Sequence, residues 1–257
     1  MLGTYHRSNR LLATLTLLAM FITLSTTIHQ IEAEKFELYR IIDPPEPNIS
    51  GFFGIDIAMT GNRVVIGERG ASRAHIYDIS GDLIKTLKSP TGDARSLFGW
   101  GIAIFGNHIV IGESKAEVNG LSGAGMIHFY DLSGNLEWSR ESPQPQKDGG
   151  FGFSMSSDGE KLVVGEPGLL GGDENMTSRV HLLDSGGAFI GSFDRPQPGE
   201  GSFGWSVGIR GDTLVVGEPY AWHSSGGGYT HGLIHIYSPK WLGSPDELRI
   251  TRGEGFW

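Results

Sequence analysis

Three short blocks recur four times along this chain, always in the same order. The first opens on Phe-Gly: Phe53-Gly54, Phe98-Gly99, Phe151-Gly152 and Phe203-Gly204. The second is a continuous apolar run closed by Gly-Glu: Val64-Val65-Ile66-Gly67-Glu68, Ile109-Val110-Ile111-Gly112-Glu113, Leu162-Val163-Val164-Gly165-Glu166 and Leu214-Val215-Val216-Gly217-Glu218. The third carries a histidine: Ala74-His75-Ile76-Tyr77-Asp78, Ile127-His128-Phe129-Tyr130-Asp131, Val180-His181-Leu182-Leu183-Asp184 and Ile234-His235-Ile236-Tyr237-Ser238. Gly67, Gly112, Gly165 and Gly217 stand 45, 53 and 52 residues apart. A fixed period of this kind means one supersecondary unit repeated in tandem.

Each block reads as a strand. The first, strand a, alternates in character and ends at a tight turn (Gly61-Asn62, Gly106-Asn107, Asp158-Gly159, Gly211-Asp212), where Asp-Gly and its variants favour hairpins. The apolar run, strand b, is that of a strand covered on both faces. Strand c ends at Asp-x-Ser-Gly in the first two copies, a turn in which the Asp side chain bonds its own backbone. Strand d follows at residues 83–87, 136–139, 188–193 and 248–251. Glycine supplies 40 of the 257 residues, about 16% against a usual ~7%, as many short elements joined by tight turns require. The expectation is an all-β, β-propeller-type array of four four-stranded antiparallel blades, at about 51–96, 97–149, 150–201 and 202–251. A stacked β-solenoid is the alternative, with repeats usually shorter than these. Residues 36–47 resemble the end of a strand d, and Gly253-Glu254-Gly255-Phe256-Trp257 the start of a fifth copy. The expectation is therefore an incomplete ring, or one completed by self-association with another chain.

Residues 1–33 read as a signal peptide or an N-terminal anchor. His6, Arg7 and Arg10 precede an apolar run at 11–24, and Ile31-Glu32-Ala33 offers a small-residue cleavage site. The uncharged stretch continues to Ile28, so an uncleaved segment holding the chain to a membrane stays open beside cleavage. Either way residues 34–257 are expected to be secreted or at the cell surface. The chain has no cysteine, so its core alone must hold it. Asn48-Ile49-Ser50 and Asn175-Met176-Thr177 are glycosylation acceptor triplets. A net charge of -9 argues against nucleic acid, which needs clustered cations.

The repeated blocks resemble the FG-GAP repeats of integrin α-chain propellers over about residues 51–251. In that family strand b ends in Gly-Ala-Pro. Here glutamate replaces alanine in all four copies, and proline follows only at Pro167 and Pro219. The resemblance implies a β-propeller with calcium loops of the Asp-x-Asp-x-Asp-Gly kind. None of the four a–b turns has the carboxylates for one, so no cofactor or metal is expected.

The recurring His75, His128, His181 and His235 are expected to be structural, because side chains spread around a ring cannot converge on one zinc. Glu68, Glu113, Glu166 and Glu218 allow two readings. Either they form an acidic ring that holds cations or basic groups, or, as favoured, each accepts backbone N–H groups of the adjacent Phe-Gly turn. Tyr220, Trp222 and Tyr229, in the long aromatic b–c loop of copy four, are the other ligand-binding candidates. Asp173, Glu174 and Asn175 make a polar cluster in the corresponding loop of copy three. Arg210-Gly211-Asp212 spells an adhesion tripeptide, but it occupies the hairpin turn that every copy has. Together these residues point to a binding or scaffold module outside the cell, recognising protein or glycan through its loop face. A polysaccharide-active enzyme would need a non-repeated pair of carboxylates, for which Asp173 and Glu174 are the candidates. A purely structural envelope protein is the third reading.

Overall fold

The computed structural model describes residues 37–168, 176–196, 202–221 and 232–238. Its strands follow the three repeated blocks. The first sheet is β1 (Phe53–Thr60), β2 (Arg63–Glu68), β3 (Arg73–Asp78) and β4 (Leu83–Lys88). The second is β5 (Phe98–Phe105), β6 (His108–Glu113), β7 (Met126–Tyr130) and β8 (Leu136–Glu141). The third is β9 (Ser154–Ser157), β10 (Leu162–Glu166), β11 (Arg179–Leu183) and β12 (Phe189–Asp194), and the fourth is β13 (Ser206–Arg210), β14 (Thr213–Glu218) and β15 (Leu233–Tyr237). Within each sheet consecutive strands pair antiparallel in chain order. Such sheets in tandem are the blades of a β-propeller. The fourth strand of the last blade, expected at 248–251, lies outside the described residues.

Two details depart from the sequence reading. In blades 3 and 4 strand a starts three residues after the Phe, at Ser154 and Ser206, so their Phe-Gly pairs lie in the preceding turn. Residues 37–47, expected to be a strand d, form no strand. Pro44, Pro45 and Pro47 remove three backbone donors from that stretch, which suits it poorly to a ladder.

Pairing places each blade's residues on one of two faces. Ile57, Ile66 and His75 stand side by side on the leading face of blade 1. Val65 and Ile76 stand on its trailing face and meet blade 2. There Val65, Ala74, Ile76 and Leu87 pack on Phe98, Ile102, Ile109, Ile111 and Tyr130. Blade 2 meets blade 3, and blade 3 meets blade 4, through the equivalent positions. In blades 2 and 3 strand b is therefore buried on both sides, which is why it reads as an unbroken apolar run.

Close approach accounts for the second block's glycine. A Cβ on Gly67 would lie 2.1 Å from the carbonyl oxygen of Gly99 in the next blade, and one on Gly112 1.9 Å from that of Gly152. Gly99 and Gly152 themselves take φ of +86°. The Phe-Gly turn of one blade thus seats its backbone on the Gly-Glu of the blade before it.

The c–d turns form as the sequence suggests. Asp131 Oδ1 accepts the N–H groups of Ser133 (2.9 Å) and Asn135 (2.8 Å), and Asp184 Oδ1 those of Gly186 (3.0 Å) and Ala188 (2.9 Å).

Candidate functional site: an aromatic arc on the loop face

The four glutamates point into the blades. Glu68, Glu113, Glu166 and Glu218 are at most 1% exposed, and so are the four histidines. Each histidine lies on strand c beside its own blade's glutamate on strand b. The Nε2–Oε2 distances are 2.9, 2.6, 2.7 and 2.8 Å in blade order. Since a carboxylate only accepts, Nε2 donates. In the first three blades Nδ1 meets a hydroxyl on strand d: Thr86 at 3.0 Å, Ser139 at 2.7 Å and Ser192 at 2.8 Å. The Phe of each Phe-Gly pair covers the imidazole, with centroids 5.5, 5.8, 5.3 and 5.0 Å apart. A buried polar group needs such complete pairing to be tolerated.

Further side chains bond three of the carboxylates. Ser89 and Thr91 serve Glu113, Ser142 and Gln146 serve Glu166, and Arg195 pairs with Glu218. The favoured reading had backbone N–H groups of the Phe-Gly turn serving the glutamates; among the described residues the carboxylates are bonded by side chains instead, foremost the blade's own histidine. The acidic-ring alternative lacks an exposed carboxylate at these positions. Burial alone raises the Glu113 carboxyl, but hydrogen bonds from His128, Ser89, Ser96 and Thr91 outweigh it and hold it below the usual value. Burial pushes the Tyr130 and Tyr237 phenols upward, and the carboxylates of Glu113 and Glu218 beside them add to it.

A different set of side chains gathers at the end of the blades where the b–c and d–a loops lie. The residue directly after Phe-Gly is Trp100 in copy two, Phe153 in copy three and Trp205 in copy four. Blade stacking brings these three into one row. Trp100 and Phe153 have centroids 4.6 Å apart, as do Phe153 and Trp205. Tyr220, from the loop after β14, meets Trp205 edge-on at 5.4 Å. At the other end the Arg69 guanidinium lies between the rings of Trp100 (4.1 Å) and Phe52 (4.2 Å), a double cation–π contact. Phe52 takes the left-handed conformation, φ 54°, which is unfavourable for a bulky residue. Leu97, at the equivalent position before Phe98, does the same at φ 59°. The strain therefore belongs to the repeated turn, and the identity of the side chain is what differs.

The arc runs across all four blades as Phe52, Arg69, Trp100, Phe153, Trp205 and Tyr220. Phe52 and Tyr220 are exposed, Trp100 and Trp205 are half-buried, and Phe153 between them is buried and supports the row from beneath. Arg69 Nε is buried and has no hydrogen-bond partner among the described residues, and its desolvation lowers the guanidinium pKa. Such a surface offers flat apolar faces and one cation held in place. It suits stacking against another ring, whether a sugar face or an aromatic side chain. A small apolar crevice of about 40 Å³ between blades 3 and 4, lined by Lys161, Ile209, Gly211 and Leu214, lies at the a–b turn end and does not reach the arc.

Of the sequence candidates, Tyr220 belongs to the arc. Trp222, Tyr229, Asp173 and Glu174 lie outside the described residues, as does Asn175. Asn48 is exposed, and its Oδ1 accepts the Ser50 N–H at 3.0 Å. Trp100, Phe153 and Trp205 escaped the sequence reading. The signal was an aromatic residue after Phe-Gly in three copies of four, Ile55 being the exception.

No family model matches the chain, and no curated protein does. Solved structures do. A streptogramin B lyase structure is similar with a TM-score of 0.52 at 18% identity, covering 80% of this chain and 55% of that one. The WD40 domain of Neurospora crassa Pan2 gives a TM-score of 0.47 at 12% identity, covering 77% of this chain and 50% of that one. The chain thus spans about half the length of the structures it matches. The fold class is a β-propeller, and at these identities the likeness carries the fold alone.

Proposed function

We propose that this chain is an extracellular or cell-surface binding or scaffold module that recognises a protein or glycan ligand through its loop face. The FG-GAP resemblance belongs to this reading, and so does export directed by residues 1–33. The observation that carries it is the aromatic arc, because its members come from every blade and the arc breaks the repeat at both of its ends. A residue needed only to build a blade recurs in each copy, as Glu68 and His75 do. Phe52, Arg69 and Tyr220 have no such recurrence, and Ile55 interrupts the row of aromatic rings. Trp222 and Tyr229 extend the aromatic character of the Tyr220 loop in sequence.

The test is a screen of oligosaccharides and peptides against the full chain, read by binding and by tryptophan fluorescence. Trp205→Ala is expected to weaken a captured ligand at least tenfold, since a central aromatic anchor contributes roughly 2 kcal/mol or more. Tyr220→Ala and Trp222→Ala are expected to weaken it less. Unchanged affinity in Trp205→Ala, with an unchanged melting curve, would remove the arc from the binding surface.

A further inference from the structure

Arg69 is the one member of the arc that is not a ring, and its surroundings fix how it can be used. Rings lie over both of its faces, Phe52 at 4.2 Å and Trp100 at 4.1 Å. A guanidinium holds its five N–H donors in its own plane. Rings above and below therefore leave only its edge for a ligand. Among the described residues that edge meets neither a hydrogen-bond acceptor nor a carboxylate, and Nε is buried without a partner. An unpaired buried donor is destabilising, and a ligand that accepts from it relieves this. The matching group is planar with two acceptor oxygens, which is the shape of a carboxylate.

The neighbourhood is cationic, although the chain as a whole carries a net charge of -9. Loops 48–52, 69–73, 88–97 and 114–118 are tied together over the contact between blades 1 and 2. The Gly70 N–H donates to the Gly51 carbonyl at 2.9 Å, Ser72 Oγ to that of Ala94 at 3.0 Å, and the Lys115 N–H to that of Ser96 at 2.8 Å. These bonds gather Lys88, Arg95 and Lys115, all exposed, at the end of the blades where Arg69 lies. Arg73 is there too, but Glu46 takes it at 2.5 Å. The acids within the four loops are Asp93, whose Oδ1 accepts the Arg95 N–H at 2.8 Å, and Glu117. Beside Arg69 opens a cleft of about 280 Å³ lined by Ala71, Ser72, Arg73, Lys88, Ser89 and Asp93 among others. A local excess of cations around such a cleft concentrates an anionic ligand.

We propose that the ligand of the loop face is an acidic glycan, and that Arg69 takes the carboxylate of a uronic acid unit on its in-plane donors. This rests on the loop-face binding reading and narrows its ligand. Lys88, Arg95 and Lys115 meet further carboxylates of the same polymer; the lysines act as point charges on flexible stems. Phe52 and Trp100 flank the Arg69 pair and keep water from it, which strengthens the attraction. The rings of the arc suit the apolar faces of sugars. A peptide with aliphatic anchors fits less well, because the apolar crevice between blades 3 and 4 opens at the a–b turn end, away from Arg69.

Isothermal titration calorimetry on the full chain compares an oligogalacturonate with its methyl ester, which keeps the sugar rings and removes the charge. The free acid is expected to bind at least tenfold more tightly, with an affinity that falls as salt rises. Arg69→Gln is expected to weaken the acid at least tenfold and to leave the ester unchanged. Arg69→Lys keeps the charge without the fork and should restore only part of the loss. Melting curves check that these variants fold. Lys115→Gln alters an exposed side chain and should weaken the acid about two- to threefold. Failure to bind the acid, equal binding of acid and ester, or acid binding indifferent to Arg69→Lys and Lys115→Gln overturns the proposal. So does equally tight binding of polyglutamate or of a sulfated glycan without carboxylates. If Trp205→Ala abolishes capture of a neutral glycan or a peptide while Arg69→Gln changes nothing, the loop-face reading stands and the acidic ligand falls. If neither substitution affects capture, both fall.

Discussion

Replacing Glu166 by alanine should unfold blade 3 far more readily than its place near the loop face would suggest. The carboxylate is fully buried and takes hydrogen bonds from His181 (2.7 Å), Ser142 (2.7 Å) and Gln146 (3.0 Å). Gln146 keeps the Thr177 carbonyl at 2.6 Å as a second acceptor, so its loss is partial. His181 and Ser142 are left as buried donors, each costing roughly 1–3 kcal/mol. With the void left by the side chain, the total is about 3–5 kcal/mol, the usual cost of breaking a buried pair from one side. At ~2–4 °C per kcal/mol for a domain of this size, Tm should fall by roughly 6–20 °C. Differential scanning calorimetry of the variant and the wild type measures it. The control is Glu137→Ala, whose carboxylate meets His108 at 2.9 Å but is 39% exposed. It should cost no more than about 0.5 kcal/mol. A double-mutant cycle with His181→Ala should show coupling of about 0.5–3 kcal/mol. If Glu166→Ala melts within a degree or two of wild type, or if the two changes simply add, the buried pairing is not what stabilises the blade.

Gly112→Ala forces a Cβ to within 1.9 Å of the Gly152 carbonyl oxygen, so blades 2 and 3 must move apart, at a cost of about 1–3 kcal/mol or more. Gly217→Ala meets only the rotatable Ser206 hydroxyl at 2.3 Å. It should be neutral or stabilising by up to ~1 kcal/mol; equal melting losses in the two variants would refute the seating argument. Glu113, held below the usual carboxylate value of 4.5, stabilises the fold fully above that pH and loses its contribution as pH falls through its folded-state pKa. The Tm gap between wild type and Glu113→Gln should therefore be constant near neutrality and narrow below about pH 4.5; a gap independent of pH down to 3 contradicts this.

Blade strands were legible in the sequence because they rest on local patterning. An unbroken Ile109-Val110-Ile111 means a strand covered on both faces, and Asp131 before Ser133-Gly134 means a turn; neither needs knowledge of distant residues. The repeat multiplied that signal fourfold. The partners of Glu68, Glu113, Glu166 and Glu218 were not legible, because pairing of strands b and c sets which side chain on the neighbouring strand each one faces. Register put Glu166 and His181 on the same face and closed Phe151 over them. The aromatic arc was less legible still. Trp100, Phe153 and Trp205 are 53 and 52 residues apart, and only blade stacking, with Phe-Gly seated on Gly-Glu, brings their rings to 4.6 Å. Sequence alone determined that blades form and roughly where each begins. Tertiary structure decided which residues meet across them, because contacts between blades depend on face and register, and a linear period carries neither.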